Sequence, residues 1–176
     1  MRSMKLVPVL LAAGALIVAG CGDSNTTGKG ASTTTGNAVD RAFVADMTSH
    51  HQSAVEMATI ASRRSQSTFV TQLAQNIVRT QNREITAMRD ADKTLAAAGI
   101  ATGSLGVPEH MMGMNGDVAS LNTAKPFDRA FLRMMIPHHE GALVMAKAEL
   151  AKGKDPTLKT LAQTIITGQQ LSLIHI

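Results

Sequence analysis

An internal repeat with an offset of 88 residues constrains this 176-residue chain more than any other feature of its sequence. The segment Asp-Arg-Ala-Phe at 40–43 recurs at 128–131, and ten of the nineteen positions from 40 to 58 are identical to their counterparts. The same register continues through Leu-Ala-Gln at 73–75, which recurs at 161–163. A repeat of this kind indicates two copies of one supersecondary unit that bury their apolar faces against each other.

Both copies contain two adjacent histidines flanked by methionines. The first set is Met47, His50, His51 and Met57, and the second is Met134, Met135, His138, His139 and Met145. Residues three, four and seven apart share one face of a helix, so the methionines and the first histidine of each pair form a stripe. Ala54 and Ala142 leave room beside the histidines.

The His-Met sets allow two interpretations. A methionine stripe is usually core packing, and a histidine within it is usually a hydrogen-bonded core residue. Two His-His pairs in identical register favour a shared purpose, because burying four imidazoles carries a desolvation cost that leucine would avoid. We interpret the two sets as metal ligands.

Further candidate ligands lie outside the two stripes. They are Glu84, Met88, His110, Met111, Met112 and Met114. Three methionines in four residues on a glycine-containing connection are expected to be exposed unless something binds them, although the connection could also lie on the bundle as a hydrophobic flap. Thioether and imidazole together favour copper, Cu(I) through methionine and Cu(II) through histidine, with Ag(I) as a toxic mimic.

The periodicity predicts an all-α protein with four helices. The first two span about 38–62 and 67–98, the third starts near Pro126 and ends at Gly153, and the fourth begins at the Asp155-Pro156 start signal. Pro137 predicts a kink beside His138. Short turns make two antiparallel hairpins, and the longer connection 99–125 joins them, which predicts a ferritin-like four-helix bundle built from two repeated hairpins.

The first 21 residues have the features of a bacterial export signal. A basic start and an apolar run end in Val-Ala-Gly-Cys, which resembles a lipobox, so we predict a lipoprotein signal peptide with Cys21 as the lipidated residue. The alternative is an ordinary signal peptide beside a cysteine. Residues 22–37 are rich in Gly, Ser, Thr and Asn and are predicted to be a flexible linker to the domain at 38–176. The predicted location is extracytoplasmic, with the membrane reached only through the N-terminal lipid.

The composition excludes some function classes. Removal of the signal leaves only a small excess of scattered basic residues, and the chain has four Phe and no Trp or Tyr. Neither a basic patch nor a stacking platform supports nucleic-acid binding.

The last six residues depart from the repeat. The repeat predicts glutamate at 172 and methionine at 176, whereas the chain reads Leu-Ser-Leu-Ile-His-Ile at 171–176. This hexapeptide matches a translation of the transposon mosaic-end adapter, so we interpret it as a sequencing artefact that leaves the fourth helix short. If it is instead a genuine apolar end, His175 becomes a candidate ligand.

The segment 128–142, Asp-Arg-Ala-Phe-Leu-Arg-Met-Met-Ile-Pro-His-His-Glu-Gly-Ala, resembles the signature of the bacterial domain-of-unknown-function family 305. The resemblance covers about 40–170 and includes the methionine loop, both His-His motifs and the Gln-x-x-Glu-Ile-x-x-Met pattern of 81–88. The family is ferritin-like and includes copper-binding proteins of the CopM type. The resemblance implies an extracytoplasmic helical bundle that binds copper and related soft ions through methionine and histidine.

Three functions follow from these observations. The first is a copper-sequestering or copper-chaperoning protein that is not an enzyme, with a copper donor or acceptor protein and a second copy of the chain as candidate partners. The second is a ferritin-like di-iron oxidoreductase, which the absence of Glu-x-x-His disfavours. The third is a metal-free helical interaction module.

Overall fold

A computed structural model describes residues 35–176 as an all-helical unit. Its helices are α1 (Ala38–Arg64), α2 (Thr68–Ala97), α3 (Phe127–Lys152) and α4 (Pro156–His175). Two short 3₁₀ helices, Glu109–Met111 and Val118–Asn122, lie between α2 and α3. No strand occurs in this part of the chain. The predicted signal peptide, Cys21 and linker residues 22–34 lie outside the described residues.

The helix starts follow from local capping chemistry. The Asn37 side chain accepts hydrogen bonds from the backbone N–H groups of Val39 and Asp40, and the Asp40 carboxylate accepts one from the Asn37 N–H. These reciprocal bonds form a capping box, which satisfies N–H groups that have no partner within the helix. At α4 the Asp155 side chain accepts hydrogen bonds from the backbone N–H groups of Thr157 and Leu158, and Pro156 follows it as predicted.

The four helices pair as two hairpins, α1 with α2 and α3 with α4. Across the hairpins α1 packs against α3, whereas α2 and α4 lie farther apart and leave a groove between them. This arrangement is compatible with the predicted four-helix bundle.

The apolar core has two clusters, and each draws on both hairpins. The first cluster joins Phe43 and Met47 near the start of α1 to Met145 near the end of α3. The second joins Met57 of α1 to Phe131 of α3. The helices α1 and α3 therefore run antiparallel, and neither hairpin can bury its apolar face alone.

The connection between α2 and α3 is held closely against α3. Gly113 has a positive φ of 70°, and a Cβ atom added there would collide with the Pro137 carbonyl. A Cβ at Gly141 would collide with the Met112 carbonyl. Glycine at these two positions allows the backbone of the methionine loop to contact α3 beside His138. Among residues 35–176, no helix combines the length and apolarity needed to cross a membrane.

The C-terminal residues continue α4 as far as His175. The helix contains 20 residues, compared with 30 in α2. Ile176 packs against the second core cluster, while Leu171 and Ile174 are exposed. The fourth helix is therefore shorter than its counterpart, and its last turns are ordered as helix.

Candidate metal centre

Two equivalent histidines of the repeat meet at the middle of the bundle. The ring centroids of His50 and His138 are 3.6 Å apart, with an angle of 34° between the ring planes. Both residues are buried, with 0% and 2% of their surface exposed. The sequence predicted that each histidine lies on the inner face of its own helix. The structure adds that the α1–α3 contact brings the two rings together.

All four ring nitrogens of this pair are buried, and none has a hydrogen-bond partner among residues 35–176. A buried polar group left without a partner costs about 1–3 kcal/mol. Leucine at either position would avoid this cost. The arrangement therefore indicates that the imidazoles are retained for something other than packing.

The environment keeps the central imidazoles neutral. Burial, followed by the nearby His138 and His51, lowers the pKa of His50 to about 2. Burial, followed by the nearby His139 and His51, lowers the pKa of His138 to about 3. A neutral imidazole has a free nitrogen lone pair, which is the form that binds a metal ion.

The second histidine of each pair is held by the second helix of its own hairpin. His51 Nε2 lies 2.7 Å from the Glu84 carboxylate, and His139 Nε2 lies 2.9 Å from Ser172 Oγ. Positions 84 and 172 are themselves equivalent in the repeat. Burial, followed by the charge of His51, lowers the pKa of His139 to about 4. Nδ1 of each of these two rings is buried and has no partner in the part of the chain that the structure describes.

Four of the five predicted stripe methionines are buried inside the protein, whereas Met134 is only partly buried. Met47 and Met145 belong to the first apolar cluster, and Met57 and Met135 belong to the second. The histidines at the middle of the bundle therefore have thioether groups on both sides, towards each end of the bundle. Met88 is also fully buried, and Thr48 Oγ1 contacts its sulfur at 3.9 Å.

The loop ligands form a separate and mostly exposed group. Met111 and Met114 have 45% and 37% of their surface exposed, and His110 is exposed as well. Met112 is partly buried and packs against the first cluster, as the flap interpretation requires. His110 and Met134 line one depression on the surface beside Pro137. The structure thus divides the predicted ligands into a buried centre and a surface group.

Sequence reasoning missed two glutamines of the site. Gln81 and Gln169 are buried, and their side-chain carbonyl oxygens accept no hydrogen bond from residues 35–176. They are identical residues at equivalent positions of the repeat, so the signal was present. Glutamine is a common helix residue, so its type alone did not indicate burial.

The donor set lacks the oxygen-rich composition of hard-metal sites. No group of three or more His, Cys, Asp or Glu side chains among residues 35–176 is arranged to hold a metal ion. A metal ion at the central histidines would therefore need methionine sulfur or solvent to complete its coordination. Imidazole and thioether are the ligands of soft and late transition metals.

The family model for "Domain of unknown function (DUF305)" matches residues 40–174. The chain belongs to the DUF305 family. A DUF305 fragment from Deinococcus radiodurans has a similar structure, with 33% identity, a TM-score of 0.63 and coverage of 77% of this chain and 91% of that one. A DUF305 protein from Streptomyces coelicolor, named as a candidate secreted protein, gives 29% identity and a TM-score of 0.67, covering 78% and 87% of the two chains.

This DUF305 chain also resembles CopM. The Cu(II)-bound form of CopM is 33% identical, with a TM-score of 0.65 and coverage of 77% of this chain and 90% of that one. CopM has also been solved with Cu(I) and with Ag bound. Uncharacterized protein L153 of Acanthamoeba polyphaga mimivirus is 46% identical over 43 residues, which is 24% of this chain and little more than a quarter, 28%, of that protein.

Proposed function

We propose that this DUF305 protein binds copper, and Ag(I) as its mimic, outside the cytoplasm, where it sequesters copper or passes it on. The observation that carries the proposal is the buried His50–His138 pair, whose nitrogens have no hydrogen-bond partner among residues 35–176. The similarity to CopM, a protein solved with Cu(I), Cu(II) and Ag, supports the same choice of metal.

The ligand chemistry favours copper over the alternatives. Imidazole suits Cu(II), and the thioethers of Met47, Met57, Met135 and Met145 suit Cu(I) and Ag(I). A ferritin-like di-iron oxidoreductase would need several carboxylates around its metals. Glu84, the carboxylate of the predicted ligand set, contacts His51. We therefore propose a binding protein rather than an enzyme, with the ferritin-like one-crossover arrangement as its scaffold.

The proposed location follows from the N-terminal sequence. Lipid on Cys21 would hold the bundle at the membrane surface, with residues 22–37 as the linker. The partners would be metal ions, a copper donor or acceptor protein and a second copy of the chain, and nucleic acid is not among them. Labelled fatty acid should attach to the wild type and not to Cys21→Ser, and lipidation of that variant would overturn the anchor.

Metal titration tests the proposed function directly. We expect tight binding of Cu(I) and Ag(I), measured by competition with a chromogenic chelator, and little binding of Zn(II) or Fe(II). The double variant His50→Ala/His138→Ala should weaken Cu(II) binding more than Cu(I) binding. Gln52→Ala/Glu140→Ala, which changes two exposed and equivalent positions on the same two helices, is the matched control. If the wild type binds no metal, the metal-free interaction module is the better explanation.

The loop methionines require a separate measurement. Changing Met111, Met112 and Met114 to Leu keeps the bulk and removes the sulfur. Because thioether binds Cu(I) better than Cu(II), this variant should lose Cu(I) stoichiometry and keep the Cu(II) affinity of the buried centre. Equal losses for both ions would mean one mixed site rather than two.

A further inference from the structure

The groove between α2 and α4 reaches the histidine centre from the surface. It encloses about 390 Å³, and its walls come from the N-terminal half of α2 and the C-terminal half of α4. The lining includes His139, whose own surface is almost fully buried. A small ion in the inner part of this groove would therefore lie beside His139, one residue from the central His138.

Polar oxygens mark the inner part of the groove. Gln81, Glu84, Gln169 and Ser172 line it together with His139. The carbonyl oxygens of Gln81 and Gln169 are buried and accept no hydrogen bond within the described region. These oxygens come from equivalent positions of α2 and α4, so the groove presents acceptors from both walls. Carbonyl oxygens that accept no hydrogen bond are free to contact a cation as it passes, and they can replace the water that surrounds it.

The charge of the lining also favours a cation. Within the described residues, no Lys or Arg lines the groove, and Glu84 is its only acidic residue. The depression on the loop side differs, because Arg133 is part of its wall. A cation approaching the α2–α4 side therefore meets a carboxylate, whereas one approaching the loop side meets a guanidinium.

We propose that the α2–α4 groove is the route by which a soft metal ion reaches the buried histidines, with Gln81, Glu84 and Gln169 as its polar lining. This inference rests on the proposed function, since it concerns the path to the same centre. It assigns the glutamines a role in passage, and it leaves final coordination to histidine and methionine.

Gly168 offers a way to close the groove without touching a ligand. It lies in α4 and lines the groove, and a Cβ added there would meet nothing within 4 Å in the described structure. Its equivalent on the opposite wall is the exposed Thr80. The variants Gly168→Phe and Gly168→Phe/Thr80→Phe should therefore fill the mouth. Thr164→Phe, on a separate depression between the same helices, is the matched control.

Stopped-flow mixing with Ag(I) is the measurement, since silver has no redox chemistry to complicate it. We expect association and dissociation rates of the filled variants to fall together, by about tenfold or more, because passage then requires the helices to separate. The Kd should stay unchanged, and the control should keep wild-type rates. Unchanged rates in the double variant, or a weaker Kd without slower association, would overturn the route. If the wild type binds no Ag(I), the proposed function fails first.

A pair of charge variants gives an independent readout. Thr80→Lys should slow Ag(I) association and Thr80→Glu should accelerate it, with both effects shrinking as salt rises because exposed charges are screened. Neither change touches a histidine or methionine of the centre. Equal association rates for the two variants at low salt would exclude passage past this position.

Discussion

The two hairpins place the same histidines in equivalent positions but hold them with different groups. In the first hairpin the carboxylate of Glu84 holds His51, and in the second the hydroxyl of Ser172 holds His139. A carboxylate that accepts a hydrogen bond from a ligand histidine raises the basicity of that ligand and fixes its tautomer. A hydroxyl fixes orientation more weakly. The repeat therefore determines where the imidazoles lie, whereas the partner on the second helix determines how basic each imidazole is.

The hairpins differ again at the helix ends. Asp40 is fully buried and accepts hydrogen bonds from the backbone N–H groups of Lys154 and Asp155 in the other hairpin. Its counterpart Asp128 has one buried oxygen without a partner among residues 35–176. Asp40 also lies against Glu149, which has alanine as its equivalent in the first hairpin. One end of the bundle is therefore closed by two carboxyl groups, and the other end is not.

The largest expected effect is the loss of stability when either core phenylalanine is removed. It tests whether the two hairpins contribute equally to the core. Phe43 and Phe131 are equivalent, and both are fully buried, one in each cluster. Phe43→Ala and Phe131→Ala should each lower the free energy of unfolding by about 3–5 kcal/mol. Chemical denaturation followed by circular dichroism should show one transition in both cases, because each cluster contains both hairpins. Two separate transitions would show that the hairpins fold independently.

The next effect concerns the closed end of the bundle. Both Glu149 oxygens are buried, and no donor among residues 35–176 reaches them, so an ionised Glu149 would lack hydrogen bonds. Burial, followed by the hydrogen bond to Asp40 and the charge of that group, raises the pKa of Glu149 to about 8. Asp155 adds to this shift, and Lys159 opposes it. At neutral pH a protonated Glu149 can donate to Asp40.

The pH dependence of stability follows from that pKa. The unfolded chain releases the Glu149 proton near pH 4.5 and the folded protein near pH 8, so the unfolding free energy should fall as pH rises through this window. At about 1.4 kcal/mol for each pKa unit, the loss across the whole window should be on the order of 4–5 kcal/mol. Glu149→Gln keeps a donor for Asp40 without the charge, so its stability should be flatter with pH. Glu140→Gln, an exposed change on α3, is the control, and a wild-type slope in Glu149→Gln would contradict the assignment.

Helix positions were largely predictable because the stop and start signals are local. Asp155-Pro156 begins α4 as predicted, and α1 extends to Arg64, two residues beyond the predicted end. The inward direction of His50 and His138 also followed from spacing alone. The contact between their rings did not follow, because it depends on how α1 crosses α3.

The carboxyl pair and the outer histidine partners were harder to predict. Asp40 and Glu149 are 109 residues apart in the chain, and each is unexceptional in its own helix. Glu84 was predicted as a metal ligand, and the structure places it at His51, while the metal role itself stays a prediction. The repeat predicts glutamate at 172, and the structure shows that the serine found there contacts His139 instead. Tertiary packing, rather than local sequence, determines these contacts.

Changing the residue that contacts each outer histidine tests whether that contact affects metal affinity. Glu84→Ser should weaken Cu(II) binding by roughly 10–100-fold, the usual effect of losing a group that holds a ligand histidine. Ser172→Glu should strengthen binding, because His139 then gains the carboxylate that His51 has. The two affinities can be measured by the same chelator competition. If Glu84→Ser and Ser172→Glu both leave affinity unchanged, the outer histidines do not bind the metal.

The smallest expected effect is a difference in stability between equivalent positions of α2 and α4, the second helices of the two hairpins. Gly168 in α4 occupies the position that Thr80 occupies in α2, and both are exposed. Glycine within a helix is less favourable than alanine by roughly 0.5–1 kcal/mol, because the unfolded chain loses more conformational freedom at glycine. Apart from its own turn of α4, no atom of the described residues lies within 4 Å of a Cβ at 168, so Gly168→Ala should gain most of that difference. Thr80→Ala should gain less, since threonine already restricts the backbone. Thermal unfolding at matched ionic strength would resolve the two changes. A larger gain at 80 than at 168 would mean that Thr80 is strained by its neighbours in the groove, and that α2 and α4 differ in packing as well as in length.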